Sequence, residues 1–150
     1  MALARLNVFL RGHRLVALDS CIFIYQWEAN PRYSPLTDHI FSELQQSAFS
    51  AVTSTITMAE LLVHPYREQD AFQVSELLGL FSTYPNLAWK SPDLAVAARA
   101  AEIRARYKLQ TPDAIQAATA IHTQASAFIT NDPIFTRIPG FETLILDRFI

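Results

Sequence analysis

Short apolar runs alternate with longer stretches in which apolar residues recur every three or four positions. The runs LVAL (Leu15–Leu18), FSAVT (Phe49–Thr53), LAW (Leu87–Trp89), AFIT (Ala127–Thr130) and TLIL (Thr143–Leu146) predict five strands. Helical spacing marks Pro35–Gln46, with Leu36, Ile40, Phe41 and Leu44, and Ala71–Phe81, with Phe72, Val74, Leu77, Leu78 and Phe81. Ile56–Val63 reads as a further helix, and Leu94–Tyr107 and Asp113–Gln124 are alanine-rich helices suited to close packing. Strands alternating with helices predict an α/β sandwich around a mainly parallel five-stranded sheet, whose ligands sit beyond the carboxyl ends of the strands. Thr111-Pro112-Asp113 reads as a helix start with a hydroxyl cap, proline in the first turn and an acid behind it. Ser91-Pro92 opens the preceding helix in the same way, and Pro65 limits the helix that carries Glu60.

Composition narrows the class. The chain has 150 residues, 51% apolar and 17% charged, which suits one folded domain (1–150) rather than a disordered chain. No apolar run reaches the roughly 18 residues of a membrane span, and the N-terminus lacks the order of a signal peptide. Cys21 is the only cysteine, so no internal disulfide is expected and the cytoplasm is the default location. Net charge is −2, which argues against tight nonspecific nucleic-acid binding but not against a nuclease that recruits its substrate through a metal. Only three glycines occur, which speaks against glycine-rich phosphate loops.

Four acids stand at the ends of apolar segments. Asp19 follows the first strand in LVALDSCIFIY, and Asp132 follows the fourth in TNDPIF. Glu60 lies in ITMAELLVH, apolar on most sides and so expected to have little access to water unless its cleft is wet. Asp113 opens the helix DAIQAATAI, where the helix dipole favours the ionised form. Each has an ordinary alternative: a helix N-cap for Asp19 unless Ser20 takes that role, a buried ion pair to arginine for Glu60, helix-start stabilisation for Asp113, and an Asx turn before Pro133 for Asp132. As a set they call for a positive partner, and a hard divalent cation such as Mg²⁺ or Mn²⁺ is the simplest.

These pieces, in this order, resemble the PIN-domain nucleases, and more closely the VapC-like toxins of type II toxin–antitoxin pairs. LDSCIFIY, TMAELL, TPDAIQAATAI and ITNDPIF carry the likeness, which covers almost all of the chain after Arg14. The resemblance implies a three-layer α/β/α fold and an acidic pocket for one or two Mg²⁺ or Mn²⁺ ions. Asp19, Glu60 and Asp113 match the family's three core acids and Asp132 the more variable fourth. Thr130 matches an assisting hydroxyl, and Ser20 a small hydroxyl residue beside the first acid. Pro133, Ile134 and Phe135 stand where many relatives carry a further acid, and residues 1–14 are longer than the usual lead-in. A mobile arm, an edge strand and a dimer contact are the readings open for that extension.

The expected activity is metal-dependent hydrolysis of RNA phosphodiesters, with Asp19 and Asp113 on the principal ion, Glu60 bound directly or through water, and Asp132 on a second ion or on the attacking water. The alternative is a PIN-fold binding protein without turnover. Cys21, flanked by Ile22 and Phe23, reads as a buried thiol, and the four histidines form no zinc-type pair. Arg14, Arg104, Arg106 and Arg137 are candidate phosphate contacts. The apolar surplus of the 35–46 and 72–81 helices predicts a groove for a partner helix or a homodimer face. The family likeness implies an antitoxin that pushes a basic side chain into the acidic pocket.

Overall fold

The computed structural model describes residues 1–150. In chain order the elements are α1 (Ala2–Arg11), β1 (Leu15–Leu18), α2 (Ser20–Trp27), α3 (Ser34–Gln45), β2 (Ser50–Ser54), α4 (Thr55–Leu61), α5 (Val63–Arg67), α6 (Ala71–Ser82), β3 (Leu87–Lys90), α7 (Leu94–Tyr107), α8 (Thr111–His122), β4 (Ala127–Thr130) and β5 (Glu142–Ile145). Short 3-10 turns, Pro133–Arg137 and Leu146–Phe149, follow the last two strands. The strands form one sheet in the order β3-β2-β1-β4-β5, and all four pairings are parallel. From β1 the chain builds outward to β2 and β3, then crosses back to lay β4 on the other side of β1. That reversal opens a crevice at the carboxyl ends of β1 and β4.

Side chains alternate across the sheet and divide the core in two. Val16, Leu18, Ala51, Ala127 and Ile129 face a layer built from α1, α2, α3 and α6. Phe23 is fully buried there, with Phe41, Phe81 and Trp89 at ring-centroid distances of 5.5, 5.1 and 5.8 Å. Ala17, Val52 and Phe128 face the other layer, α7 and α8. Ala114, Ala117, Ala118 and Ala120 are wholly buried, so α8 lies close against the strands.

Residues 1–14 form neither an arm nor an edge strand. Leu6 and Leu10, one turn apart, put two fully buried side chains from α1 into the core. The Arg5 guanidinium lies 4.9 Å from the Phe149 ring centroid and donates to the Arg148 carbonyl at 2.7 Å, tying α1 to the C-terminal turn.

Two helix starts differ from expectation. Asp93, not Ser91, caps α7, its carboxylate accepting from the Val96 N–H at 2.9 Å. α8 begins at Thr111 itself, with Gln110 at the cap position and no side-chain cap bond. In both cases proline marks the neighbourhood of the start and not the capping residue itself. α4 ends at Leu61 and α5 resumes at Val63, because Pro65 offers no N–H to continue the helix.

Candidate active site

Asp19 stands where β1 turns into α2. Its backbone N–H still donates to the Ile129 carbonyl at 3.0 Å, which locks it into the β1–β4 ladder. Its side chain is nearly buried, at 7% exposure. Asp19 is the N-cap of α2, so the expected alternative role is realised, and Ser20 does not replace it. Oδ1 accepts from the Ser20 N–H at 2.8 Å, and Oδ2 accepts from the Thr130 hydroxyl at 2.7 Å. The same Thr130 oxygen accepts from the Asp132 N–H at 3.1 Å, so one buried hydroxyl ties two of the acids together.

Asp132 caps the 3-10 turn that follows, its Oδ1 accepting from Ile134 N–H at 3.0 Å. This is the Asx turn that the sequence allowed, and the carboxylate is otherwise exposed to solvent. Asp113 is half-buried in the first turn of α8. Glu60 is exposed, as a wet cleft leaves it: Met58 and Leu61 pack against the core, while Glu60, on the short helix α4, lies within reach of Ser20 and of the charges of Asp19 and Asp113.

The acids sense one another. Burial, above all, raises the Asp19 carboxyl to about 6; the Thr130 and Ser20 hydrogen bonds oppose this, and the charges of Asp113 and Asp132 add to it. Glu60 is raised by desolvation and then by the charges of Asp19 and Asp113, with the Ser20 side chain pulling the other way. Asp113 is raised by desolvation and by Asp132. The molecule's ion pairs are Arg11–Glu43, Arg32–Asp147, Lys90–Asp93 and Arg99–Glu102, and His13 Nε2 lies 3.1 Å from Glu142. None involves the four acids, so the buried arginine pair considered for Glu60 does not form. Arg14, a candidate phosphate contact, precedes β1 and so lies at the opposite edge of the sheet. Arg104 turns its Nε to the Leu109 carbonyl at 3.1 Å.

A cavity of about 410 Å³ is lined by Asp19, Cys21, Tyr25, Thr130, Asn131 and Asp132, with Pro133 at its edge. A larger hollow of about 650 Å³, between α7 and α8, is lined mainly by alanine and shares no residue with it. The Cys21 thiol in the acid-lined wall is pushed far above its usual range by burial and then by Asp19, so it stays protonated and is no nucleophile.

Sequence reading missed what holds the acid-bearing elements in place. The Thr53 hydroxyl donates to the Leu18 carbonyl at 2.9 Å and lies 2.7 Å from the Thr57 hydroxyl. Gln116 Nε2 donates to the Thr57 hydroxyl at 2.7 Å. All three side chains are buried, at 1%, 0% and 2% exposure for Thr53, Thr57 and Gln116. The relay joins the residue before Asp19, the helix of Glu60 and the helix of Asp113. A glutamine among the alanines of α8 was the available signal.

The PIN domain family model matches residues 16–140. The chain belongs to the PIN domain family. Its fold matches solved structures across nearly their whole length. One is a chain of VapBC2 from Rickettsia felis bound to a DNA fragment from their promoter, at 20% identity and a TM-score of 0.70, covering 87% of this chain and 98% of that one. Another is a chain of a toxin–antitoxin complex from Klebsiella pneumoniae, at 22% identity and 0.63, covering 87% and 97%. A third is a chain of DNA-bound VapBC from Salmonella typhimurium, at 20% identity and 0.63, covering 89% and 98%. At these identities the likeness is one of fold. A comparison with curated proteins returned no match.

Could this PIN domain hold a divalent cation? The donors suit one: four hard carboxylates on one edge, ion-paired to nothing, with three of them raised in pKa by desolvation and by their neighbours' charges. As the side chains stand, no three of them are close enough to share an ion directly. The fit is therefore one of chemistry and charge, not of closed geometry.

Proposed function

We propose that this PIN domain is a Mg²⁺- or Mn²⁺-dependent ribonuclease, the toxin of a toxin–antitoxin pair. One observation supports the reading: acids from four separate segments lie near enough along the carboxyl edge of the sheet to feel one another's charge, with no cation of the protein's own to balance them. Asp19 and Asp113 are assigned to the principal ion, with Glu60 directly or through water. Asp132 is assigned to a second ion or to the attacking water. A bound ion supplies positive charge to the phosphodiester and activates water for attack.

The chain's own groups set the stage for that chemistry. Ser20 N–H and the Thr130 hydroxyl fix both oxygens of Asp19. Asp132 has one oxygen committed to its turn and the other without a partner, suited to orienting water. With water as nucleophile no covalent enzyme intermediate is needed, and the products carry a 5′ phosphate and a 3′ hydroxyl.

Partner binding is proposed on the apolar surface of α5 and α6. α3 spends its apolar residues in the core, but Val63, Tyr66, Phe72, Leu78 and Leu80 remain exposed. Beside them a cavity of about 300 Å³ is lined by Ile24, Trp27, Leu61 and Leu77. An antitoxin or a second copy of the chain is the proposed occupant, in keeping with the toxin–antitoxin complexes whose fold it shares. No helix is long and apolar enough to cross a membrane, and a cytoplasmic location is part of the proposal.

The test is cleavage of a tRNA and ribosomal RNA panel with Mn²⁺, Mg²⁺ or EDTA. Asp19→Asn and Asp113→Asn are expected to abolish cation-dependent cleavage with the circular-dichroism spectrum unchanged. Full cleavage by both variants would end the assignment. A wild-type protein that cleaves no RNA with either ion would leave the binding-protein reading in its place.

A further inference from the structure

One wall of the acid cavity is aromatic and unusually well braced. Tyr25, on α2, lines the same cavity as Asp19 and Asp132. Tyr33, from the loop before α3, stacks on it with ring centroids 4.3 Å apart and planes 22° from parallel. The Tyr33 hydroxyl donates to Asp147 Oδ1 at 2.7 Å, and the Tyr25 hydroxyl accepts from Asn131 Nδ2 at 3.2 Å. Asn131 Oδ1 accepts in turn from the Asp147 N–H at 2.9 Å, which closes a ring through four segments of chain. The Arg32 guanidinium lies 5.7 Å from the Tyr33 centroid and 3.6 Å from Asp147, with its side chain 62% exposed.

This ring fixes the position of Tyr25 at the cavity wall. What it brings to the cavity is the ring of Tyr25, with the Arg32 guanidinium beside Tyr33. An aromatic face beside a backbone-binding site is the general means by which proteins hold single strands, because every base has a face to stack. Bases inside a duplex are already stacked and out of reach.

We infer that the Tyr25–Tyr33 stack is a base-stacking subsite, which takes one unstacked nucleobase of a single-stranded RNA as its backbone passes the acids. Arg32 meets a phosphate flanking that base. A stacked base is held by its face, so the subsite selects single strands over duplex. The inference rests on the ribonuclease reading of the same cleft.

The experiment measures binding of a short RNA to the Asp113→Asn protein by fluorescence anisotropy, with one abasic nucleotide moved along the strand. One position is expected to weaken binding by roughly 5- to 100-fold, the effect of losing one stacked base. In the added background of Tyr25→Leu that penalty should vanish, while Tyr25→Phe and Tyr25→Trp keep it. In the otherwise unaltered protein, Tyr25→Leu should raise KM for cleavage by a similar factor and leave kcat nearly unchanged. The abasic series needs no change at Tyr25, so it holds even if the leucine variant folds poorly. Equal binding of abasic and intact strands, tighter binding to duplex of the same sequence, or no binding of single strands would overturn the subsite. Tyr25-dependent binding without cleavage by the wild-type protein would instead remove the nuclease reading and leave the subsite standing. Cleavage indifferent to Tyr25 would do the reverse.

Discussion

Replacing Asp19 by asparagine should make the metal-free protein more stable while destroying the site. Burial raises the Asp19 carboxyl from 3.8 to about 6. Roughly two pKa units correspond to about 3 kcal/mol by which the ionised carboxylate destabilises the fold above pH 6. Between pH 4 and 6 the folded protein holds a proton that the unfolded chain has released, so stability falls as pH rises through that window. Below it, both states are protonated and the penalty disappears. In the Asp19→Asn variant the side chain is neutral at every pH, and its carbonyl can still accept from Ser20 N–H. The Thr130 hydroxyl loses its acceptor, which costs about 1 kcal/mol. The net gain is about 2 kcal/mol, or roughly 4–8 °C in Tm for a chain of this size. Thermal melts by circular dichroism in EDTA at pH 7.5 should show that rise, and at pH 3.5 the gap should close or reverse. Adding Mn²⁺ at pH 7.5 should lift the wild type and not the variant. A variant that melts at or below wild type in EDTA at pH 7.5, with the same gap at pH 3.5, would refute the reasoning. It would mean that the two hydrogen bonds to Asp19 already offset its burial.

Two further outcomes are expected. Gln116→Ala cuts the relay to Thr57 and should lower stability by about 1–3 kcal/mol, read from the urea midpoint, and should weaken the Mn²⁺-induced rise in Tm because α4 and α8 lose their common tie. Leu10→Ala should cost about 2–5 kcal/mol by emptying a fully buried position, whereas Val8→Ala, on the exposed face of the same helix, should change little; equal effects would show that α1 is not docked in solution.

Much of the architecture was legible because periodicity is a local property. Each of the five predicted strands lies within a residue or so of its observed place, and the alanine-rich stretches lie as helices against the sheet. The acids at strand exits were legible for the same reason, since Asp19 and Asp132 follow apolar runs directly. Helix caps were less so. Asp93 takes the cap of α7 through its bond to the Val96 N–H, while α8 starts at Thr111 behind Gln110 with no side-chain cap bond at all. The N-terminal helix escaped notice because its two core residues, Leu6 and Leu10, are too few to mark a face without knowing what lies beneath them.

By itself the sequence determined an alternating α/β chain with carboxylates at its turning points and a single cysteine. Tertiary structure alone decided that β4 returns beside β1, which brings residues more than a hundred positions apart, such as Asp19 and Thr130, into one hydrogen bond. It also set Glu60 within reach of Ser20 and Asp19, joined Thr53, Thr57 and Gln116 beneath the acids, and closed the ring behind Tyr25. The reason is physical: local pattern reports which face of an element is apolar, but a polar contact depends on which distant partner the packed sheet sets against it.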